Sequence, residues 1–153
     1  MRYYEDIELG KPQRFGAKLV TREEVIAFAA QFDPQPFHLD DEAAAKTHFG
    51  RISASGWHTA AMVMRMIVDH MQSGEGQAGL GSPGIDQLRW LKPVYPGDTL
   101  TCESAVIEKR RSQSKPEMGL MKTRLTCFNQ HGEAVLSHIG NGMIATRDPS
   151  GSD

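Results

Sequence analysis

Apolar and polar positions change period along this chain, and the change divides it. After Thr21-Arg22-Glu23-Glu24, the residues Val25, Phe28, Ala29 and Phe32 recur at helical spacing. Thr21 and Glu24 make a capping-box pattern, in which a hydroxyl and a carboxylate each accept a hydrogen bond from the other's backbone N–H. Pro34 disfavours helical geometry at Asp33, so this helix is expected to end there. A short second helix is expected across Glu42 to Lys46, capped by Asp40 or Asp41 and closed near Gly50. A third runs from Gly56 to about Met71. Trp57, Ala61, Met64, Val68 and Met71 form one stripe along it, while Ala60, Met62, Val63 and Ile67 cover much of the remainder. A helix apolar on nearly every side is expected to be surrounded by the rest of the protein.

Beyond a glycine-rich stretch the period becomes two. Leu88 and Trp90, then Leu100 to Val106, Met121 to Cys127, and Val135 to Ile139 alternate with polar neighbours and predict strands. Pro96-Gly97-Asp98 and Asn129-Gln130-His131-Gly132 supply turns. This order predicts an α+β domain with a long antiparallel sheet wrapped around one long buried helix and an N-terminal helical overhang. No linker or internal repeat divides it, so residues 1–153 read as a single domain, with Arg147 to Asp153 as a flexible tail.

Composition narrows the function classes. A formal net charge of −2 gives no reason to expect a polyanion partner, so no nucleic-acid partner is expected. Cys102 and Cys127 lie in strand-like runs without metal-ligand spacing and read as buried free thiols, with no metal site. No secretory leader and no membrane-length apolar run is legible, so a soluble cytoplasmic protein is expected. Gly74-Glu75-Gly76-Gln77-Ala78-Gly79 and Gly79-Leu80-Gly81-Ser82-Pro83-Gly84 both match the dinucleotide fingerprint in letters. That fingerprint needs a strand before it and a helix after it. Here a helix precedes, and Pro83 blocks one from following, so the stretch reads as a flexible loop.

The chemistry-bearing segment is Asp33-Pro34-Gln35-Pro36-Phe37-His38. Two prolines stiffen the backbone between a carboxylate and an imidazole, which suits a general acid/base pair. The same residues also fit a turn cap and a surface histidine. Gly56 starts the third helix behind Ser53 and Ser55, both able to cap it. The first N–H groups of a helix lack internal partners and carry the positive end of its dipole, so a substrate oxygen can approach a glycine there. Relief of crowding between helix and sheet is the alternative. His58, in the first helical turn, lies near the presumed site. Lys109-Arg110-Arg111 through Lys115 reads as a charged loop, either solvated surface or an attraction for nucleotide phosphates.

Asp33-x4-His38-Leu39-Asp40, Phe49-Gly50-Arg51-Ile52 and Ala54-Ser55-Gly56 together resemble the hydratase motif of MaoC-like dehydratases, which include (R)-specific enoyl-CoA hydratases. Lys92-Pro93-Val94-Tyr95-Pro96-Gly97-Asp98-Thr99-Leu100 is similar to their strand-turn-strand signature, and the resemblance runs from Arg14 to Thr146. It implies a hot-dog fold, Asp33 and His38 as catalytic residues, and Gly56 with Ser55 in the oxyanion and substrate-binding site. It implies an acyl-CoA hydratase or dehydratase of fatty acid metabolism, interconverting trans-2-enoyl-CoA and (R)-3-hydroxyacyl-CoA. Coenzyme A would enter as the substrate thioester, without metal or redox cofactor. Such relatives join sheets edge to edge, which implies a homodimer or a multiple of one. Three positions depart from the pattern: Gln35 stands where an asparagine is usual, Ser55 where a histidine is frequent, and Met64 where some members have a serine supporting the aspartate. A hot-dog thioesterase, with Asp69 as the helix carboxylate, and a non-catalytic acyl-CoA-binding module are the alternatives.

Overall fold

The computed structural model describes residues 1–151. Helix α1 spans Arg22–Phe32, α2 Asp41–Ala45 and α3 Gly56–Gln72, with short 3-10 turns at Tyr4–Asp6 and Pro36–His38. The strands are β1 (Gln13–Leu19), β2 (Gly79–Trp90), β3 (Thr99–Arg111), β4 (Met118–Phe128) and β5 (Ala134–Ala145). They form one antiparallel sheet in the order β1-β3-β4-β5-β2, curled around α3. This is the expected hot-dog arrangement of one long helix against one sheet.

Local chemistry sets the first helix. Thr21 Oγ1 accepts from Glu24 N and Glu24 Oε1 accepts from Thr21 N at 2.8 Å, so the capping box forms. Asp40 caps α2 through the N–H of Ala43. The core lies between α3 and the concave sheet face: Met62, Val63 and Met66 meet Leu100, Cys102, Leu125, Cys127 and Leu136. Cys102 and Cys127 are free, buried and opposite each other across β3 and β4. A hydrogen bond between them, together with burial, pushes the Cys127 thiol well up.

Several expectations change. One chain does not surround α3, because Trp57 is 60 % exposed and Met64 46 %, with Val68 also at the surface. That apolar stripe faces outward while His58, Thr59, Met62, Val63 and Met66 face the core. The presumed glycine loop is largely strand: Gly79 to Gly84 open β2, an edge strand, where glycine and proline are tolerated because one side of the ladder is unpaired. β1 had no legible alternation, and it is created by pairing with β3 around a bulge at Gly16. Lys109 to Arg111 lie in β3 rather than in a loop. Lys109 donates to Tyr4 O and Arg111 pairs with Glu5, which occupies these charges within the protein. The expected tail is tied down where it is described: Arg147 N donates to Glu5, and Arg147 pairs with Asp6. Residues 152 and 153 of that tail lie outside the described residues.

Candidate active site

Asp33 caps the end of α1 outside helical geometry, in keeping with Pro34 behind it, and the chain then turns through Pro36–His38. That turn carries His38 inward to 5 % exposure. His38 Nδ1 lies 2.6 Å from Ser53 O, and His38 Nε2 lies 3.4 Å from Asp33 Oδ2. A carbonyl oxygen only accepts, so the Ser53 contact places a proton on Nδ1. In the neutral ring this leaves the Nε2 lone pair facing Asp33.

Two further side chains fix Asp33. Ser55 Oγ donates to Oδ2 at 2.7 Å and Gln35 Nε2 donates to Oδ1 at 2.7 Å. The Ser55 hydrogen bond, first of all, holds the Asp33 carboxyl below its ordinary value. Burial works against this, and Gln35 and the nearby His38 add to it. Ser55 stands at the N-cap of α3 but makes no capping hydrogen bond, since its hydroxyl is directed at Asp33. Gln35 and Ser55, two of the positions that depart from the family pattern, are thus the donors that orient the carboxylate. Met64, where some members carry the supporting serine, lies on the outer face of α3.

Gly56 follows Ser55 as the first residue of α3, so its N–H has no intrahelical partner beside the pair. The glycine is also sterically required. Trp90, from the end of β2, donates Nε1–H to Gly56 O at 2.7 Å, and a Cβ on Gly56 would lie 2.5 Å from Trp90 Cε2. The packing reading of Gly56 offered by the sequence therefore holds, with the Trp90 ring as the neighbour that excludes a side chain.

Ser53 and Trp90 were not among the expected site residues. Ser53 acts through its carbonyl, which no sequence pattern marks, and Trp90 arrives from a strand 34 residues away. The Lys92 to Leu100 segment braces the loop carrying Ser53 and Ser55: Ala54 N donates to Val94 O at 2.8 Å, and Tyr95 OH donates to Phe49 O at 2.8 Å. His58 turns from the pair to stack on Phe28, with ring centroids 4.7 Å apart, and burial lowers its pKa. Asp69 is half-exposed and paired with Arg65. Among the described residues no group of three or more His, Cys, Asp or Glu is placed to hold a metal ion, and no helix is long and apolar enough to cross a membrane.

The sequence profile of the MaoC like domain matches residues 6–126. A crystal structure of a MaoC-like dehydratase from Rhodospirillum rubrum superposes with a TM-score of 0.87 at 37% identity, covering 97% of this chain and 99% of that one. The 3-hydroxybutyryl-CoA dehydratase of Methylorubrum extorquens is 32% identical over 139 residues, 88% of this chain and 78% of that protein. The mesaconyl-CoA hydratase of Cereibacter sphaeroides is 37% identical over 94 residues, 58% of this chain, and the chain spans only 27% of that protein's length.

Proposed function

The chain belongs to the MaoC-like domain family, and from that premise we propose that it is a hydro-lyase acting on acyl-CoA thioesters, adding water reversibly to trans-2-enoyl-CoA to give (R)-3-hydroxyacyl-CoA. The observation that carries this reading is the pair itself. His38 Nε2 and Asp33 Oδ2 present two acceptors 3.4 Å apart, each held by a separate hydrogen bond. Two acceptors so placed hold the two protons of one water. The pair takes one proton as the water oxygen bonds to Cβ, and returns one proton to Cα from the same face. One O–H bond and the Cα=Cβ π bond break, one C–O and one C–H bond form, and no net oxidation or reduction takes place. The reaction therefore needs no redox cofactor, Asp33 and His38 carry the proton transfers without a metal in this scheme, and coenzyme A enters only with the substrate. Charge gathers on the thioester oxygen as Cβ is attacked, and the Gly56 N–H at the positive end of α3 is the donor for it. Ser55 is a positioning residue for Asp33 in this scheme.

Assembly completes the proposal. β2 is an exposed edge carrying Leu80, Ile85 and Trp90, and α3 adds Trp57, Met64 and Val68 beside it. We propose that a second copy covers this face in a cytoplasmic homodimer serving fatty acid metabolism.

Purified protein given crotonyl-CoA should bleach the enoyl chromophore without releasing free thiol. Asp33→Asn and His38→Ala should each lower turnover by about 10²–10⁴-fold. The losses should not multiply in the double variant, because both groups act on one water. Free thiol released in step with the bleaching would favour a thioesterase. Binding without turnover would leave an acyl-CoA-binding module.

A further inference from the structure

The concave face of the sheet changes character along its length. Under the first half of α3 its cross-strand row is apolar, Cys102-Cys127-Leu136. The next rows are Ser104-Leu125-His138 and Val106-Thr123-Gly140. These line one side of an open cavity of about 910 Å³, and Ile67 and Met71 of α3 line another, with Met64 at its exposed edge. That volume lies at the upper end for small-molecule sites.

His138 is the anomaly in it. The ring is 8 % exposed, and its Nδ1 is buried without a hydrogen-bond partner. Among the described residues nothing pairs with it, whereas His70 on the opposite wall is held by Gln13 at 2.8 Å. An unpaired buried imidazole is costly, and a leucine would extend the row of Leu125 without that cost. Gly140 lies against it without crowding: a Cβ there would touch His138 Cε1 at 3.7 Å and Nδ1 at 3.9 Å, ordinary contact distances. Burial lowers the His138 pKa, so the ring stands neutral and offers one N–H and one lone pair.

Resting on the hydratase reading above, we propose that this cavity receives the far end of a long acyl group bearing an uncharged oxygen, a hydroxyl or a carbonyl, which hydrogen-bonds His138. The α3 side of the cavity begins at Met64, eight residues along α3 from Gly56 and on the order of 12 Å away at the helical rise. A crotonyl group held at Gly56 stops short of it. A neutral imidazole satisfies a hydroxyl or carbonyl but does not neutralise a carboxylate. Of the cations lining the cavity, Lys11 is paired with Glu8, and the carboxylate chain in the test reads whether Arg2 takes a charged end instead.

The test compares three trans-2-enoyl-CoA substrates of roughly twelve carbons: a plain chain, one with a hydroxyl near its far end, and one with a terminal carboxylate. The wild type should give the hydroxylated chain the highest kcat/KM, by about five- to tenfold over the plain chain, the scale of one hydrogen bond. His138→Leu should abolish or reverse that preference. Gly140→Val, whose first added carbon makes only ordinary contact with His138, should lower kcat/KM for all three long chains relative to crotonyl-CoA. Equal use of the plain and hydroxylated chains, preference for the carboxylate, or an unchanged ratio in His138→Leu would overturn the inference. Absence of crotonyl-CoA turnover would count against the hydratase reading alone. The same ranking would then be read from calorimetric binding of the three thioesters, with the same outcomes deciding.

Discussion

At the scale of single residues, the hydroxyl of Ser55 and the missing side chain of Gly56 answer to different partners. Ser55 reaches 22 positions back to Asp33 and holds its charge, while Gly56 makes room for the Trp90 ring. Alanine is the better helix former, so helix propensity taken alone predicts near-normal stability for Gly56→Ala. The Trp90 ring reverses that expectation. The added carbon forces the indole aside and breaks its hydrogen bond to Gly56 O, an overpacking cost of about 1–3 kcal/mol. Thermal unfolding should show this loss, and Trp90→Ala should relieve most of it in the double variant. Activity separates the two roles. If the Gly56 N–H binds the thioester oxygen, Gly56→Ala stays impaired in the Trp90→Ala background, by up to about 10²–10³-fold. Activity in the double variant matching that of Trp90→Ala would assign the glycine to packing alone.

At the scale of elements, the N-terminal 3-10 turn and the end of β5 hold each other through Glu5. Its carboxylate accepts from Arg147 N at 3.0 Å and from Arg111 Nη2 at 2.8 Å. Burial alone would raise its pKa. The backbone N–H groups of Arg147 and Asp148 and the Arg111 guanidinium instead hold it down at about 2, from 4.5. A carboxyl whose pKa is depressed on folding stabilises the fold above its unfolded value and loses that contribution as pH falls through the folded one. The Glu5 contribution is therefore complete above pH 4.5 and disappears as the pH approaches 2. Melting temperatures of the wild type and Glu5→Gln should differ at neutral pH and converge across this window. A gap that persists down to about pH 2 would show that Glu5 contributes through packing rather than charge.

At the scale of the whole molecule, the two sheet edges are unlike. β1 carries Arg14 and Lys18, paired with Glu103 and Glu24, and charged side chains of this kind discourage strand addition. β2 lies exposed from Gly79 to Trp90 next to the outer stripe of α3. A second copy joined along β2 would cover both the unpaired edge and the apolar stripe. Light scattering at micromolar concentration should give twice the chain mass of 16.9 kDa, or a multiple of that dimer. Ile85→Lys, which puts a charge on that edge, should weaken association by about tenfold or more, the effect of losing an interface residue worth over 1 kcal/mol. A wild-type monomer under these conditions would refute the homodimer.

The sequence by itself determined what short stretches of chain decide. The Thr21/Glu24 box fixes the start of α1 and Pro34 its end; the apolar run sets α3; and the alternating residues set the middle of β3, β4 and β5. Asp33 and His38 belong to this class too, because two prolines within six residues limit how the pair can be spaced. Tertiary structure alone decided whatever depends on a distant partner. β1 and the glycine half of β2 have no period of their own and become strands because β3 and β5 offer them backbone hydrogen bonds. The Trp57-Met64-Val68 stripe reads as core by composition, yet it is exposed because the sheet curls over the other side of α3. The start of the expected loose tail, Arg147 and Asp148, is held by a carboxylate 142 and 143 positions earlier in the chain. Capping and backbone stiffness act over three or four residues and leave their mark in local order, whereas strand pairing and ion pairing depend on where the folded chain returns.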